Sequence, residues 1–459
     1  MSVGWGSLPI LPLRCVLEHL SFTDALAATA TCRHWRSSIL VYEGRKELLK
    51  LSVKHLEKSA FVTSVFKKHV RRLHICLDDA GEDLETFMEY VLPQYFDTLH
   101  LTELVFIGPS YLQRNQYVPS VSLKRILTES LIFKHIHRLK SLVYIGCELG
   151  VAKSDNERYI HENVEHHSRS LKFNFTPSPN DTVFSRCNMR KMMFANLKYV
   201  TIDYEQIGTA TLHTLNQIPL LTLLTLNVGN KRPATLSRFD WPRIAVNVRV
   251  NIIAVPQRRF QDIIANVFVE GMILTSLKVM FCKTLHIPLV THIVRMYKAT
   301  LKEFLWVDSP FESSDTCHRI VRPISEANLD MCPVNPLILL CWQCSHLKRL
   351  VIHGYWLWQY DVIGIVRLRK TLNDLDISAT YDRQNRFTND GNINNIVRVL
   401  ADDIVPTPDA RFVLQVNEHT EFRWAPSLLS NLHPALQGGA TPEIRADYIL
   451  HEATRPPVF

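Results

Sequence analysis

The sequence predicts an α/β chain in which a short helical unit precedes a long array of alternating strands and helices. Three observations carry this. Apolar residues recur at helical spacing in three short runs within the first forty residues. A strand-like template then returns eight times between residues 101 and 377, and the stretches between its occurrences carry apolar residues three and four apart. The chain, at 459 residues, is too long for one ordinary compact domain unless that domain is an array that grows by adding units. With 46% hydrophobic and 21% charged residues and only 15 glycines, most of it can bury a core.

The first helical run holds Leu13, Val16, Leu17 and Leu20, and Pro12 sits where a first turn tolerates a residue without an N–H, so a helix is expected to start near Pro12. Thr23 or Asp24 can cap a second helix that carries Leu26, Ala27, Ala28 and Ala30, whose small residues allow close helix approach. A third follows Thr31-Cys32 with Trp35, Ile39 and Leu40 on its apolar side. Three short helices in about 35 residues bury little on their own, so the unit suits a partner that completes its core.

This run resembles the F-box family: Leu8-Pro9, then Val16 and Leu20, then Asp24, Leu26, Cys32 and Trp35-Arg36 follow the family's order and spacing. Pro12 departs from it, standing where the family usually carries leucine or a similar residue. The resemblance implies that Leu8, Pro9, Val16, Leu20, Leu26 and Trp35 pack onto a Skp-type adaptor, which in turn binds a cullin scaffold. The bland alternative is that they form only the private core of a small helical domain, Trp35 more so than Leu8 or Pro9.

The template further on reads leucine, two residues, apolar, one residue, apolar. It occurs at Leu101-Leu104-Phe106, Leu139-Leu142-Tyr144, Leu197-Val200-Ile202, Leu221-Leu224-Leu226, Leu274-Leu277-Val279, Leu301-Phe304-Trp306, Leu347-Leu350-Ile352 and Leu372-Leu375-Ile377. Steps of 24 from Val200 to Leu224, 27 from Leu277 to Phe304 and 25 from Leu350 to Leu375 match the period of leucine-rich repeats. The step of 53 from Leu224 to Leu277 leaves room for a degenerate unit at Val246-Val248-Val250. Residues 288–296 space their apolar positions as a helix does, so the expected fold is an irregular leucine-rich-repeat α/β solenoid behind a three-helix F-box.

In such strands the template residues point inward and those between them outward. The outward set is Tyr199, Thr201, Asp203, Thr225, Asn227, Ser276, Lys278, Met280, Arg349, Val351, His353, Asp374, Asp376 and Ser378. Asp203, Lys278, Arg349, His353, Asp374 and Asp376, with Trp356 from the aromatic run Tyr355-Trp356-Leu357-Trp358-Gln359-Tyr360, are the candidate target-binding residues. Their mixed charge suits a protein partner better than a nucleic-acid backbone. Core burial competes with partner anchoring as the explanation of the aromatics.

The formal charge of +8 is local: residues 43–72 hold nine Lys/Arg against three Glu. A solvated helix face explains it more simply than phosphate binding does. Cys341 and Cys344 have the spacing of half a zinc site, with Cys332 and His346 nearby, but they lie in an apolar helical stretch where cysteine behaves as a small hydrophobe. His161, His166 and His167 beside Glu162 and Glu165 lack a second ligand cluster and read as a polar loop. No glycine-rich phosphate loop or nucleophile elbow appears, and no cofactor is expected. The ten scattered cysteines and the lack of a signal-like start or an apolar run of 18 residues point to the cytosol or nucleus, with no membrane partner.

Residues 335–378 further resemble the F-box only protein 33 family, with F-box only protein 39 as a near relative. Members are non-catalytic substrate-recognition subunits of Skp-cullin-F-box ubiquitin ligases, which is the function the resemblance implies, target proteins being ubiquitinated and passed to the proteasome. A repeat protein or nucleic-acid scaffold acting outside any ligase is the competing reading. The expected organisation is an F-box at 2–42, a basic helical linker at 43–68, a repeat domain at 69–420 whose 153–190 segment stands off as a loop, and a Pro-containing tail at 421–459.

Overall fold

A computed structural model describes residues 4–20, 24, 27–41, 48–67, 70–77, 83, 86–108, 131–146, 193–204, 207–229, 241, 245–309, 318–319, 335–381 and 410–457. The chain divides into two compact units, one of Met1–Pro109 with Tyr117–Leu197 and one of Ser110–Gln116 with Lys198–Phe459.

In the first unit, α1 spans Ile10–His19 and α2 spans Arg33–Val41. Helix α1 starts two residues earlier than the position of Pro12 suggests. Pro9 is its N-cap and Pro12 falls within the first turn, where a missing N–H leaves no bond unmade. The helix expected between them is described only at Asp24, Ala27 and Ala28, so its extent lies outside the described residues. Leu13, Leu17, Ala28 and Ile39 form the buried core of this segment, with Leu8, Leu20 and Trp35 packed against it.

Strands β1 (Leu48–Ser52), β2 (Arg72–Cys76), β3 (Glu103–Ile107) and β4 (Ser141–Ile145) then pair in parallel in sequence order. Helix α3 (Leu56–Phe66) connects the first two. The basic stretch read as a helical linker therefore contains a strand. Leu49 and Leu51 of β1 are buried, but Lys46 stands where the template wants leucine, which hides the strand from a leucine count. In β2 the positions are Val70, Leu73 and Ile75, again without the leading leucine.

The second unit carries β5 (Tyr199–Asp203), β6 (Leu223–Val228), β7 (Asn247–Ile253), β8 (Leu274–Met280), β9 (Glu303–Val307), β11 (Arg349–His353) and β13 (Asp374–Ile377), all parallel and paired in that order. A separate set joins β10 (His318–Arg319), β12 (Tyr355–Trp358) and β14 (Thr380–Tyr381). Helices α4 (Thr209–Asn216), α5 (Phe260–Asn266), α6 (Ile287–Tyr297), α7 (Pro336–Gln343) and α8 (Gln359–Leu368) lie between successive strands. Crossovers of this kind are what parallel pairing requires. All eight template sites fall on strands or immediately before them, and Val248 and Val250 lie on β7, where the degenerate unit was expected.

Template residues form the core of each unit. Leu226, Val250, Leu277, Phe304 and Leu350 occupy one rung of neighbouring strands and are fully buried. Each such side chain contributes about 1.5–3 kcal/mol when withdrawn from water. On the same side, the Phe260 ring of α5 stacks on His286 at 4.8 Å and on Trp306 of β9 at 6.1 Å. The strands end on a repeated corner. Ala254, Phe281 and Gly354, each the residue after a strand, take positive φ, and the amides of Ala254 and Phe281 donate to Met280 and Val307 of the next strand. At Gly354 a Cβ would come within 2.4 Å of the Asp308 carbonyl oxygen, so only glycine fits there.

Helix α9 (Ala410–Asn417) and helix α10 (Pro442–Thr454) complete the second unit. The second of these lies in the stretch read as a tail. Its start was legible: Thr441 is the N-cap, its side chain accepting from the Ile444 amide, Pro442 occupies the first turn and Glu443 follows. No helix of the described residues is long and apolar enough to cross a membrane.

Candidate functional site

Two surfaces matter, one in each unit. In the first, the residues around α1 keep much of their apolar surface in water. Trp5 is 70% exposed, Leu11 72% and Ile10 53%, whereas Leu13 and Leu17 on the opposite side of the same helix are buried. Of the residues assigned to adaptor docking, Pro9 is exposed, Leu8, Val16, Leu20 and Trp35 are half-buried, and Leu26 lies outside the described residues. Leu8, Leu20 and Trp35 pack on the small core from its rim. Their arrangement is fixed locally: the Trp35 indole N–H donates to the Trp5 carbonyl at 2.9 Å, and His34 Nε2 lies 2.7 Å from the Leu8 carbonyl. The helical spacing did not single out Trp5, Ile10 and Leu11, because they lie before Pro12, where the helix was expected to begin.

The second surface is the strand face opposite the helices, and here the structure corrects the sequence reading. Asp203, Lys278, Arg349 and His353 were expected to be exposed; all four are buried, as are Thr201, Thr225, Asn227, Ser276, Met280 and Val351. Asp374, Asp376 and Trp356 keep partial exposure. The alternation of the strands is as expected, but the chain folds back over the face that alternation points to. Ser427 bonds to β13 through its amide, which donates to the Ile377 carbonyl at 2.8 Å, and through its hydroxyl, which donates to Asp376 Oδ1 at 2.6 Å. Tyr448 of α10 meets the Phe281 ring edge-on at 5.9 Å, and the Arg445 guanidinium lies over that ring.

Parallel register brings the charges together. Thr201, Thr225, Arg249, Ser276, Glu303, Arg349 and Asp374 occupy successive positions of one rung, and Lys278 stands two residues along from Ser276. Glu303, with no exposure, is the hub. It accepts from Ser276 Oγ at 2.6 Å and from Arg349 Nη1 at 2.5 Å, with Lys278 Nζ and Arg249 Nη2 each 3.5 Å away. The sequence gives little sign of Arg249 and Glu303, because β7 lacks the leucines of the template and Glu303 directly precedes a template residue, Phe304.

Helix α10 closes the network with its C-terminal end. Lys278 Nζ donates to Glu452 Oε2 at 2.7 Å and to the Glu452 carbonyl at 2.8 Å, while Arg249 Nη1 donates to the Arg455 carbonyl at 2.7 Å. Carbonyls at the end of a helix lack intrahelical partners and carry the negative pole of its dipole, so cations satisfy both demands. Burial alone would raise the Glu303 pKa, but Lys278, Arg249 and the Ser276 hydrogen bond outweigh it and hold the carboxyl down at about 2. Burial pushes Lys278 down to about 8, with Arg249 adding to the shift and both glutamates opposing it. At neutral pH the glutamates are ionised and Lys278 keeps its proton.

At the edge of the network, Arg349 Nε donates to Asp374 at 2.8 Å, and His353 Nε2 lies 3.2 Å from Asp376 Oδ2. Tyr355–Trp358 of the aromatic run form strand β12, and Gln359 and Tyr360 open α8. The strand's alternation buries Tyr355 and Leu357 and leaves Trp356 and Trp358 half-exposed, with Tyr360 tilted against Trp358 at 5.0 Å. Tyr355 donates its hydroxyl hydrogen to Asp308 Oδ2 at 2.6 Å. That carboxyl also accepts from the Lys283 amide, and burial pushes its pKa up to about 7.

No group of three or more His, Cys, Asp or Glu able to hold a metal occurs among the described residues. Cys341 and Cys344 are fully buried, and burial raises both thiols, Cys344 to about 11, as expected of core cysteines rather than reactive ones. Cys332, the histidines 161, 166 and 167, and the loop at 153–190 lie outside the described residues.

Comparison with known proteins finds a family match in the first of these segments. Residues 5–41 match the F-box domain, a span that contains α1, α2 and their shared core. The chain is 22% identical to F-box only protein 33 of Homo sapiens in an alignment of 454 positions covering 83% of this chain and 78% of that protein. A shorter match to F-box only protein 33 of Mus musculus is 42% identical over 53 residues, 11% of this chain and 9% of that protein. The chain thus carries an F-box domain at residues 5–41 and, over most of its length, resembles F-box only protein 33.

Proposed function

We propose that this chain is a non-catalytic substrate receptor of a Skp-cullin-F-box ubiquitin ligase, docking on the adaptor through residues 5–41 and presenting a target bound to its strand body. The observation that carries the reading is the F-box match together with the character of that segment: a core of four buried residues beside Trp5, Ile10 and Leu11 left in water. So small a core is completed by a partner, and a central apolar anchor at such an interface is worth roughly 2 kcal/mol or more. Leu8, Pro9, Val16, Leu20, Leu26 and Trp35 are the proposed docking residues, joined by Ile10 and Leu11. The Skp-type adaptor recruits the cullin, and the conjugating enzyme supplies the chemistry, so the receptor contributes proximity.

The body is read as an irregular leucine-rich-repeat array, supported by the template on parallel strands and the steps of 24 to 27 residues. Target contact is proposed at its open edge, where Trp356, Asp374 and Asp376 keep exposure beside Tyr360. Reduced thiols suit the cytosol or nucleus as its place of action.

Co-expression with a Skp-type adaptor tests the docking. The natural chain should co-purify with it and the Leu8→Ala, Pro9→Ala double variant should not. Undiminished capture by a doubly substituted, folded chain overturns the assignment.

A further inference from the structure

We infer that α10 is an autoinhibitory occupant of the strand face, a helix that can leave its seat and open a cation-lined site to an acidic peptide segment of a target. The inference rests on the reading that this face receives the target. Three features of the seat support it.

First, the strands bring Arg249, Lys278 and Arg349 together with one buried carboxylate of their own, Glu303, and a half-exposed one at the rim, Asp374; the three cations and Glu303 are at most 5% exposed. Within this cluster the strands alone therefore set three cations against two carboxylates. Second, what compensates the remaining charge is the end of a helix: the Glu452 carboxylate and the carbonyls of Glu452, Ala453 and Arg455, contacted by Lys278 and Arg249. These are the groups an acidic peptide also offers, a carboxylate and backbone carbonyls, so α10 occupies the site as a ligand of the same chemistry would. Third, the compensation is incomplete. Arg249 is fully buried, yet its Nε and Nη2 atoms have no hydrogen-bond partner, and Nη2 reaches Glu303 only at 3.5 Å. A buried ionic contact recovers desolvation only when its geometry is good and its remaining donors are satisfied. Here they are not, and a ligand with more carboxylates would satisfy donors that α10 leaves unmet. Tyr448, Ile449, Leu450 and Ala453 are the apolar residues that hold the helix in place.

The test uses the full chain bound to its adaptor and a fluorescein-labelled peptide of eight glutamates as probe. Asp447 lies on the exposed side of α10, and Asp447→Pro breaks that helix while leaving Glu452 and the strand residues of the seat unsubstituted. This variant should bind the probe at least tenfold more tightly than the natural chain. The gain should vanish when Lys278→Met and Arg349→Met are added, and an unlabelled peptide of residues 441–457 should compete. Equal binding by the natural and Asp447→Pro chains overturns the inference.

If the variant does not fold, native-state hydrogen exchange on the natural chain decides. Amides of 445–454 should exchange through a partial opening in which β7 to β11 stay protected. Exchange of those amides only on global unfolding makes α10 a permanent part of the fold and overturns the inference. Adaptor capture is read in parallel: its retention alongside failed probe binding rejects this inference alone, and its loss on Leu8→Ala plus Pro9→Ala is a separate result.

Discussion

The F-box segment and the strand body of residues 198–457 handle burial in opposite ways. The first leaves large apolar side chains in water, Trp5, Ile10 and Leu11 among them, around a core of Leu13, Leu17, Ala28 and Ile39. The second takes Arg249, Lys278, Glu303 and Arg349 out of water while its template residues fill a separate apolar layer. Size explains the difference. A unit of about 35 residues has too little volume to enclose its own apolar surface. A long parallel sheet has apolar volume to spare on one side and can hold charges on the other, provided the chain supplies opposite charges to cover them. The first arrangement leaves a surface for a partner, and the second creates a dependence on every member of a network.

The largest expected effect follows from that dependence. Glu303→Leu removes the hub and leaves three cations with only Glu452 and Asp374 to compensate them, so it should lower stability by about 3–5 kcal/mol, read from the urea midpoint. A loss under about 1 kcal/mol would show that the network is not interdependent. The carboxylate also sets a pH dependence. Its folded pKa of about 2 lies below the ordinary 4.5, so its stabilisation is complete above about pH 4.5 and is lost as pH falls through 2. Acid should therefore weaken the natural chain across that window more than the variant.

In the F-box, Leu17→Ala should destabilise the helical segment by about 2–3 kcal/mol. Hydrogen exchange should show faster amides in α1 and α2 with unchanged protection in β6 to β9; equal loss in both would mean that the two regions unfold together.

Asp308 should behave in the opposite sense to Glu303. With its folded pKa raised from 3.8 to about 7, the stability it contributes is fully present below about pH 4 and is lost as pH rises through 7. Asp308→Asn should therefore gain about 1–3 kcal/mol at pH 8 relative to the natural chain, and the difference between the two should flatten above pH 8. Parallel thermal melts from pH 4 to 9 check this, and a difference between the two chains that does not grow as pH rises through 7 contradicts it. The smallest effect belongs to the partly exposed rim: Asp374→Asn should cost less than about 1 kcal/mol because water already screens its pair with Arg349.

Much of the architecture was legible in the sequence because it depends on periodicity. Alternation on a strand sets which side chains share a face, and the leucine template located eight of the parallel strands, with Val248 and Val250 marking a ninth. Strands β1 and β2, which it passed over, lack the leading leucine, since Lys46 and Val70 stand there, and the short strands β10, β12 and β14 do not carry the template. The F-box was legible for a similar reason: its signal is a local run of apolar residues at helical spacing.

What covers a face is a different kind of fact. Nothing within Lys278, Arg349 or their neighbours in sequence indicates that Glu452 lies 2.7 Å from the Lys278 amine, because the two are 174 residues apart. The sequence by itself determined most of the strands, their inward and outward sides and the short helical unit at residues 5–41, since each follows from contacts between near neighbours. Only the tertiary structure decided that the outward side is closed, because the free energy of docking α10 depends on charges drawn together from β7, β8, β9 and β11, which no local pattern records.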